Sequence, residues 1–199
     1  TSHHIGLHRL PPYLKSFVSQ YPQAELNLSF MNSESAYQAI AQRQVELALT
    51  TLEAPNNNDL PEGIISEPLW EDEMVIVCAS DHPLNTLEEV TLKDLSEYPA
   101  ILPEANTFTF KLLAEKFKQQ NLPLNTPMPT NYLETIKMLV SVGLGWSLLP
   151  KTMLENPEEA GLVVLKLNQI FLTRPLGLLY LQGRTLSNAA KAFIALIKA

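Results

Sequence analysis

A chain of 199 residues that is 46% hydrophobic and 18% charged, with a mean hydropathy of +0.00, can fill one large core or two small ones. Its net charge of −7, from 21 acidic against 14 basic residues scattered singly, argues against a nucleic-acid grip by this polypeptide. No apolar run approaches the roughly 20 residues of a membrane span and no basic-then-apolar leader opens the sequence, so the expectation is a soluble, unexported chain.

In chain order, Leu10, Tyr13, Leu14, Phe17, Val18 and Tyr21 form an apolar stripe at helical spacing. Pro11 and Pro12 suit its first turn and Pro22 stops it. Ala24, Leu26, Leu28 and Phe30 alternate with polar residues as in a strand. Ser33 and Ser35 offer N-caps to a helix over residues 36–43, and a second strand follows over 45–50. This strand, helix and strand order predicts a parallel sheet.

A loop rich in Asn and Pro spans residues 54–63. Strands are expected at 64–69 and 74–80, with the charged Trp70-Glu71-Asp72-Glu73 between them as a crossing from one lobe to another. The pattern then restarts: a short helix over 92–95, a strand over 100–102, a helix over 110–120, a proline-rich link and a helix over 132–142. Gly143 stands where a helix C-terminus favours positive φ, and Trp146 to Leu149 read as an inner strand stopped by Pro150. Strands over 162–167 and 176–181 and a closing helix over 188–197 complete the chain, with a return crossing expected near 179–183. The division is therefore residues 1–73 plus 182–199 for lobe I and 74–181 for lobe II.

Chemistry-bearing motifs are sparse. The one cysteine, Cys78, excludes an internal disulfide and a CxxC site, and its strand-like setting suits a buried thiol. His4 and His8 lie four apart, but no carboxylate or cysteine joins them at ligand spacing, so no metal and no cofactor are expected. There is no GxSxG elbow and no P-loop, and the acidic pairs fall in solvated runs, which argues against an enzyme.

Several short motifs, in order, carry a resemblance. They are Thr1-Ser2-His3-His4-Ile5-Gly6 leading to Leu10-Pro11-Pro12, Tyr21-Pro22, Val45-Glu46-Leu47-Ala48-Leu49, Glu67-Pro68-Leu69, His82-Pro83-Leu84, Tyr98-Pro99, Gly143-Leu144-Gly145 with Leu148-Leu149-Pro150, and Arg184 with Ser187 and Phe193. Over essentially its whole length the chain resembles the effector-binding domain of LysR-type transcriptional regulators. The resemblance implies an α/β fold of two Rossmann-like lobes joined by two crossover strands, the type 2 periplasmic-binding-protein fold. It also implies a strand and a DNA-reading winged helix-turn-helix before Thr1 in a longer protein, a cytoplasmic location, no membrane partner, and a homodimer or homotetramer in which the first helix of one copy lies near the second lobe of another.

By the same resemblance a small-molecule effector binds between the lobes, at Ser2, His3, Ser33, Thr51, Pro103, Thr107, Phe108 and Asn131. Loops of this kind end in helix N-termini, which favour anions; Ser2, Ser33 and Asn131 equally suit helix capping. Relatives often carry an Arg in the region that here reads Ala105-Asn106-Thr107-Phe108-Thr109-Phe110, and Gly where Met31 stands. The missing Arg argues against a strongly acidic effector, and Phe108 or Phe110 offers an apolar wall or simply packs its helix. A solute-binding protein of a transporter, or an enzyme on the same scaffold, are the competing classes.

Overall fold

The computed structural model describes residues 1–53, 61–154, 156–167 and 171–199, so most of the loop expected at 54–63 lies outside the described residues. The chain divides into two compact units, one made of Thr1–Glu71 with Pro175–Ala199 and the other of Asp72–Arg174. The boundaries drawn from sequence, after 73 and after 181, differ at both passages. Both passages run inside unbroken strands; the first, between Glu71 and Asp72, falls within the charged run expected as a crossing, and the second precedes the expected 179–183.

The first unit holds α1 (His3–His8), α2 (Pro11–Gln20), α3 (Ser33–Ala41), β1 (Ala48–Thr51) and α7 (Asn188–Lys198). It also contains the start of β2 (Ile64–Ala79) and most of β5 (Leu172–Leu181). β1 pairs antiparallel with β5, Leu49 opposite Leu178 and Thr50 opposite Gly177. Ile5, Leu10, Phe17, Leu49, Leu176, Leu178, Phe193 and Ile197 form one buried cluster, with Phe193 meeting Phe17 edge-on at 5.2 Å. Each such side chain contributes about 1.5–3 kcal/mol on burial, which is what holds two helices of modest length against a short ladder. α7 is further tied by Glu46, which accepts from both the backbone N–H and the hydroxyl of its N-cap, Ser187.

The second unit holds the rest of β2, α4 (Leu92–Ser96), α5 (Phe108–Gln119), α6 (Leu133–Ser141), β3 (Ser147–Pro150), β4 (Leu162–Leu165) and the start of β5. β2 lies between β3 and β4, antiparallel to both. Its apolar run is buried on two faces: Ile76 and Cys78 join a cluster with Leu148, Leu165, Phe117 and Trp146, while Val77 joins Leu149, Leu162, Ile136 and Val140 under α6. The Trp146 indole N–H donates to the carbonyls of Leu95 (2.9 Å) and Tyr98 (3.2 Å), so the largest core side chain leaves no orphan donor. Gly145 before it is required by contact: a Cβ there would stand 2.2 Å from the Pro99 carbonyl oxygen.

Among the described residues the parallel sheet expected from element order does not appear as a ladder. The strand ladders with a described register are antiparallel, and parallel contact occurs as single bridges, Val90 with Leu167 and Ala100 with Trp146. An apolar run reports two-sided burial and carries no information on strand direction. Residues 24–30 form no assigned strand, and Leu26, Leu28 and Phe30 remain exposed. Thr1 lies alongside this segment, donating to Ser29 O and accepting from Met31 N. The charged residues 70–73 do not separate two strands, because β2 passes straight through them. A helix also begins earlier than the proline pair suggests: α1 is capped by Ser2, and the chain bends at Leu10, whose N–H returns to Ile5 O, before Pro11 opens α2.

Three helices end alike. At α6, Gly143 N–H reaches Val140 O and Leu144 N–H reaches Leu139 O, with Gly143 at φ +83°. α3 and α5 repeat that double closure with Arg43 (φ 60°) and Asn121 (φ 53°) in the left-handed position.

Candidate functional site

In the first unit, four of the eight predicted site residues gather around the end of β1. Ser2 donates its backbone N–H to Leu49 O at 3.3 Å, and its hydroxyl accepts from Ile5 N at 3.4 Å as the N-cap of α1. His3 is exposed and its ring stacks on Phe30 at 5.3 Å. Ser33 is the first residue of α3, but it does not cap the helix. Asn32 does, accepting from Ser35 N at 2.8 Å, which leaves the Ser33 hydroxyl to accept from Thr51 N at 3.2 Å. Thr51 itself is buried.

The sequence reading missed two members of this group. Tyr37, one helical turn after Ser33, accepts the N–H of Glu53 on its hydroxyl at 3.0 Å, so alternate N–H groups of the chain leaving β1 are stitched to one face of α3. Burial, and then the charges of Glu53 and Glu34, push the Tyr37 phenol above its ordinary pKa. One Glu53 carboxylate oxygen, Oε2, is enclosed and lacks a hydrogen-bond partner among the described residues, as does the buried Thr50 hydroxyl. The signal for Tyr37 was its i, i+4 spacing from Ser33; nothing in the sequence marked Glu53.

In the second unit the other four predicted residues also come together. Pro103 is buried beyond Leu102. Thr107 caps α5, its hydroxyl accepting from Phe110 N at 3.2 Å and donating to Glu104 O at 2.7 Å. Asn131 does not cap α6, whose N-cap is Tyr132 and which has no side-chain cap; the Asn131 Oδ1 accepts from Glu104 N at 3.0 Å. With Thr130 N donating to Leu102 O at 3.2 Å, the loops before α5 and α6 are fastened to each other. Phe108 is half-buried under the ammonium of Lys111, 5.9 Å from its ring centroid, whereas the partly buried Phe110 packs against the core cluster.

An arginine does reach this region from elsewhere in the chain. Arg174, from β5, donates through Nη1 to Thr109 Oγ1 in the first turn of α5 at 2.9 Å. Asp72 on β2 takes Nη2 at 3.0 Å and Nε at 3.3 Å through a single oxygen, and the two side chains are 0% and 8% exposed. The guanidinium is thus buried and neutralised at the foot of α5.

The His4 and His8 rings meet at 5.1 Å, and no group of three potential metal ligands occurs among the described residues. Burial, with Asp81 adding, raises the Cys78 thiol to about 11, so it is protonated at neutral pH. No helix among the described residues is long and apolar enough to cross a membrane.

A mixed α/β chain of two units joined by two continuous strands, each unit presenting a polar loop set beside helix N-termini, has the type 2 periplasmic-binding-protein design. The chain belongs to the LysR substrate binding domain family, which it matches over residues 1–199. Among curated relatives it is 31% identical over 193 residues to an uncharacterized HTH-type transcriptional regulator, YeiE, of Escherichia coli strain K12, covering 96% of this chain and 63% of that protein. It is 25% identical over 160 residues to a probable nitrogen assimilation transcriptional activator of Synechocystis, covering 78% of this chain and 51% of that one. The chain thus spans about half to three fifths of the length of such relatives.

Solved structures agree in fold. The effector binding domain of QuiR in complex with shikimate superposes with a TM-score of 0.83 at 23% identity, covering 98% of this chain and 91% of that one. The regulatory domain of Synechocystis PCC6803 CcmR in complex with 2-PG gives 0.85 at 18%, covering 99% and 92%.

Proposed function

We propose that this chain is the ligand-sensing half of a LysR-type DNA-binding transcriptional regulator, binding a small metabolite between its two units without turning it over. The observation that carries the reading is the paired loop sets. Ser2, His3, Ser33 and Thr51 converge at the end of β1 in one unit, and Pro103, Thr107, Phe108 and Asn131 converge at the starts of α5 and α6 in the other, within a family whose relatives carry the names of transcription regulators. A ligand held by both sets biases the relation of the units by its differential affinity for their arrangements. In the full-length cytoplasmic protein that bias is read by a homodimer or homotetramer, through α2, and passed to a DNA-binding winged helix-turn-helix.

The test is a thermal-shift screen against amino acids, organic acids, aromatic acids and nucleosides, repeated with Ser33→Ala and Asn131→Ala. A compound that raises the melting temperature of the parent and of neither variant is the expected result, since stabilisation follows mass action on the folded state. Stabilisation that survives both substitutions refutes the site. The assembly is tested separately: Val18→Asp on the exposed face of α2 is expected to lower the mass of the particle in sedimentation.

A further inference from the structure

We infer that the effector carries a protonated amino group and that Glu53 receives it; the inference rests on the ligand-sensing reading above. Thr51 and Glu53 are fixed by their backbone N–H groups to Ser33 and Tyr37, so Glu53 is held at the same end of β1 as the predicted contacts rather than left in the following loop. Its Oε2 is enclosed and has no donor among the described residues. A carboxylate oxygen taken from water without a donor is costly, and such a group in a native fold calls for an occupant that supplies one. Burial first, and then the charges of Glu53 and Glu34, hold the neighbouring Tyr37 phenol above its ordinary pKa, so it adds no negative charge of its own. A cationic N–H donor satisfies the Glu53 oxygen, and an anion placed there adds repulsion.

The second unit points the same way by an independent observation. Arg174 is the guanidinium that reaches the first turn of α5, and Asp72 has already spent its charge. Residues 103–110 and 130–132 contain neither Lys nor Arg, so the cation beside them is Lys111, positioned over Phe108. That provision suits at most one carboxylate, aided by helix N-termini, and does not suit a phosphate ester or a polycarboxylate. The effector class is therefore an amine or an amino acid, unlike the ligands named for the QuiR and CcmR structures.

The experiment is thermal-shift titration of the 199-residue chain with putrescine, lysine, arginine and glutamine, and with shikimate, 2-PG and citrate, in the parent, Ser33→Ala and Glu53→Gln. We expect at least one amine to raise the melting temperature of the parent and to lose that effect in both variants, and the anions to shift nothing. We also expect ligand-free Glu53→Gln to melt no lower than the parent, because it removes an unpartnered charge. A compound without an amino group that stabilises the parent but not Ser33→Ala overturns the amine inference while leaving the site intact. Stabilisation indifferent to Ser33 refutes the site and this inference with it. Absence of any amine response at millimolar concentration, or a lowered melting temperature for ligand-free Glu53→Gln, also overturns the inference.

Discussion

Replacing Asp72 by alanine is the substitution for which the structure sets the largest and most specific cost. Asp72 is fully buried and one of its oxygens takes two N–H groups of Arg174, itself only 8% exposed. Removing the carboxylate takes the Asp72 countercharge from a guanidinium held in a low-dielectric interior, and breaking a buried pair in this way costs about 3–5 kcal/mol. For a protein of this size each kcal/mol moves the melting temperature by about 2–4 °C, so the expected loss is roughly 6–20 °C. Urea unfolding followed by far-UV circular dichroism measures it. The companion variant Asp72→Leu with Arg174→Met removes both charges and fills their place with apolar volume. It should recover more than half of the loss, less about 1 kcal/mol for the bond Thr109 forfeits. If Asp72→Ala lies within about 1 kcal/mol of the parent, water reaches the pair and the reasoning from burial is wrong.

Three further outcomes are expected. Arg43→Gly should raise stability by roughly 0.5–1 kcal/mol, because the left-handed position that closes α3 costs an arginine more than glycine's extra chain entropy; urea midpoints decide it. Burial holds the His82 imidazole below its ordinary 6.5, so as pH falls through that value the unfolded chain takes up a proton that the folded chain resists and stability declines. His82→Asn, which keeps an acceptor for Leu84 N, should flatten that part of the pH profile relative to the parent. Cys78, buried and raised to about 11, should resist a thiol reagent at pH 8 in the native chain and react fully in denaturant.

Much of this was legible in the residues, and the failures share a cause. Helices declared themselves through apolar spacing and caps, as with Thr107 before α5 and Ser187 before α7, because helix formation is largely a local affair. Strand partners did not, since direction and register depend on residues far apart in sequence. Hence the runs 74–80, 146–149 and 162–167 were legible as strands while their antiparallel pairing was not, and the alternating residues 24–30 carry no ladder among the described residues. In the candidate site the hydroxyl and amide residues were found, yet two of the three thought to suit capping bind backbone across the fold instead: Ser33 holds Thr51 and Asn131 holds Glu104. Glu53 and the Asp72–Arg174 pair escaped notice because a charged residue within a strand or at its end looks solvated until its surroundings are known.

The second unit is one unbroken stretch, Asp72–Arg174, set into a first unit that is completed only by the C-terminal residues. Its first and last residues face each other across 3.0 Å in the ion pair described above. A polypeptide whose ends meet can be cut out of its host, or have its ends ligated, without stretching either part. Excised as a free-standing domain, residues 72–174 would retain two apolar clusters, the capped α5 and the neutralised arginine, and a short loop from Glu71 to Pro175 would close what remains. Residues 72–174 therefore suit expression as a free-standing unit.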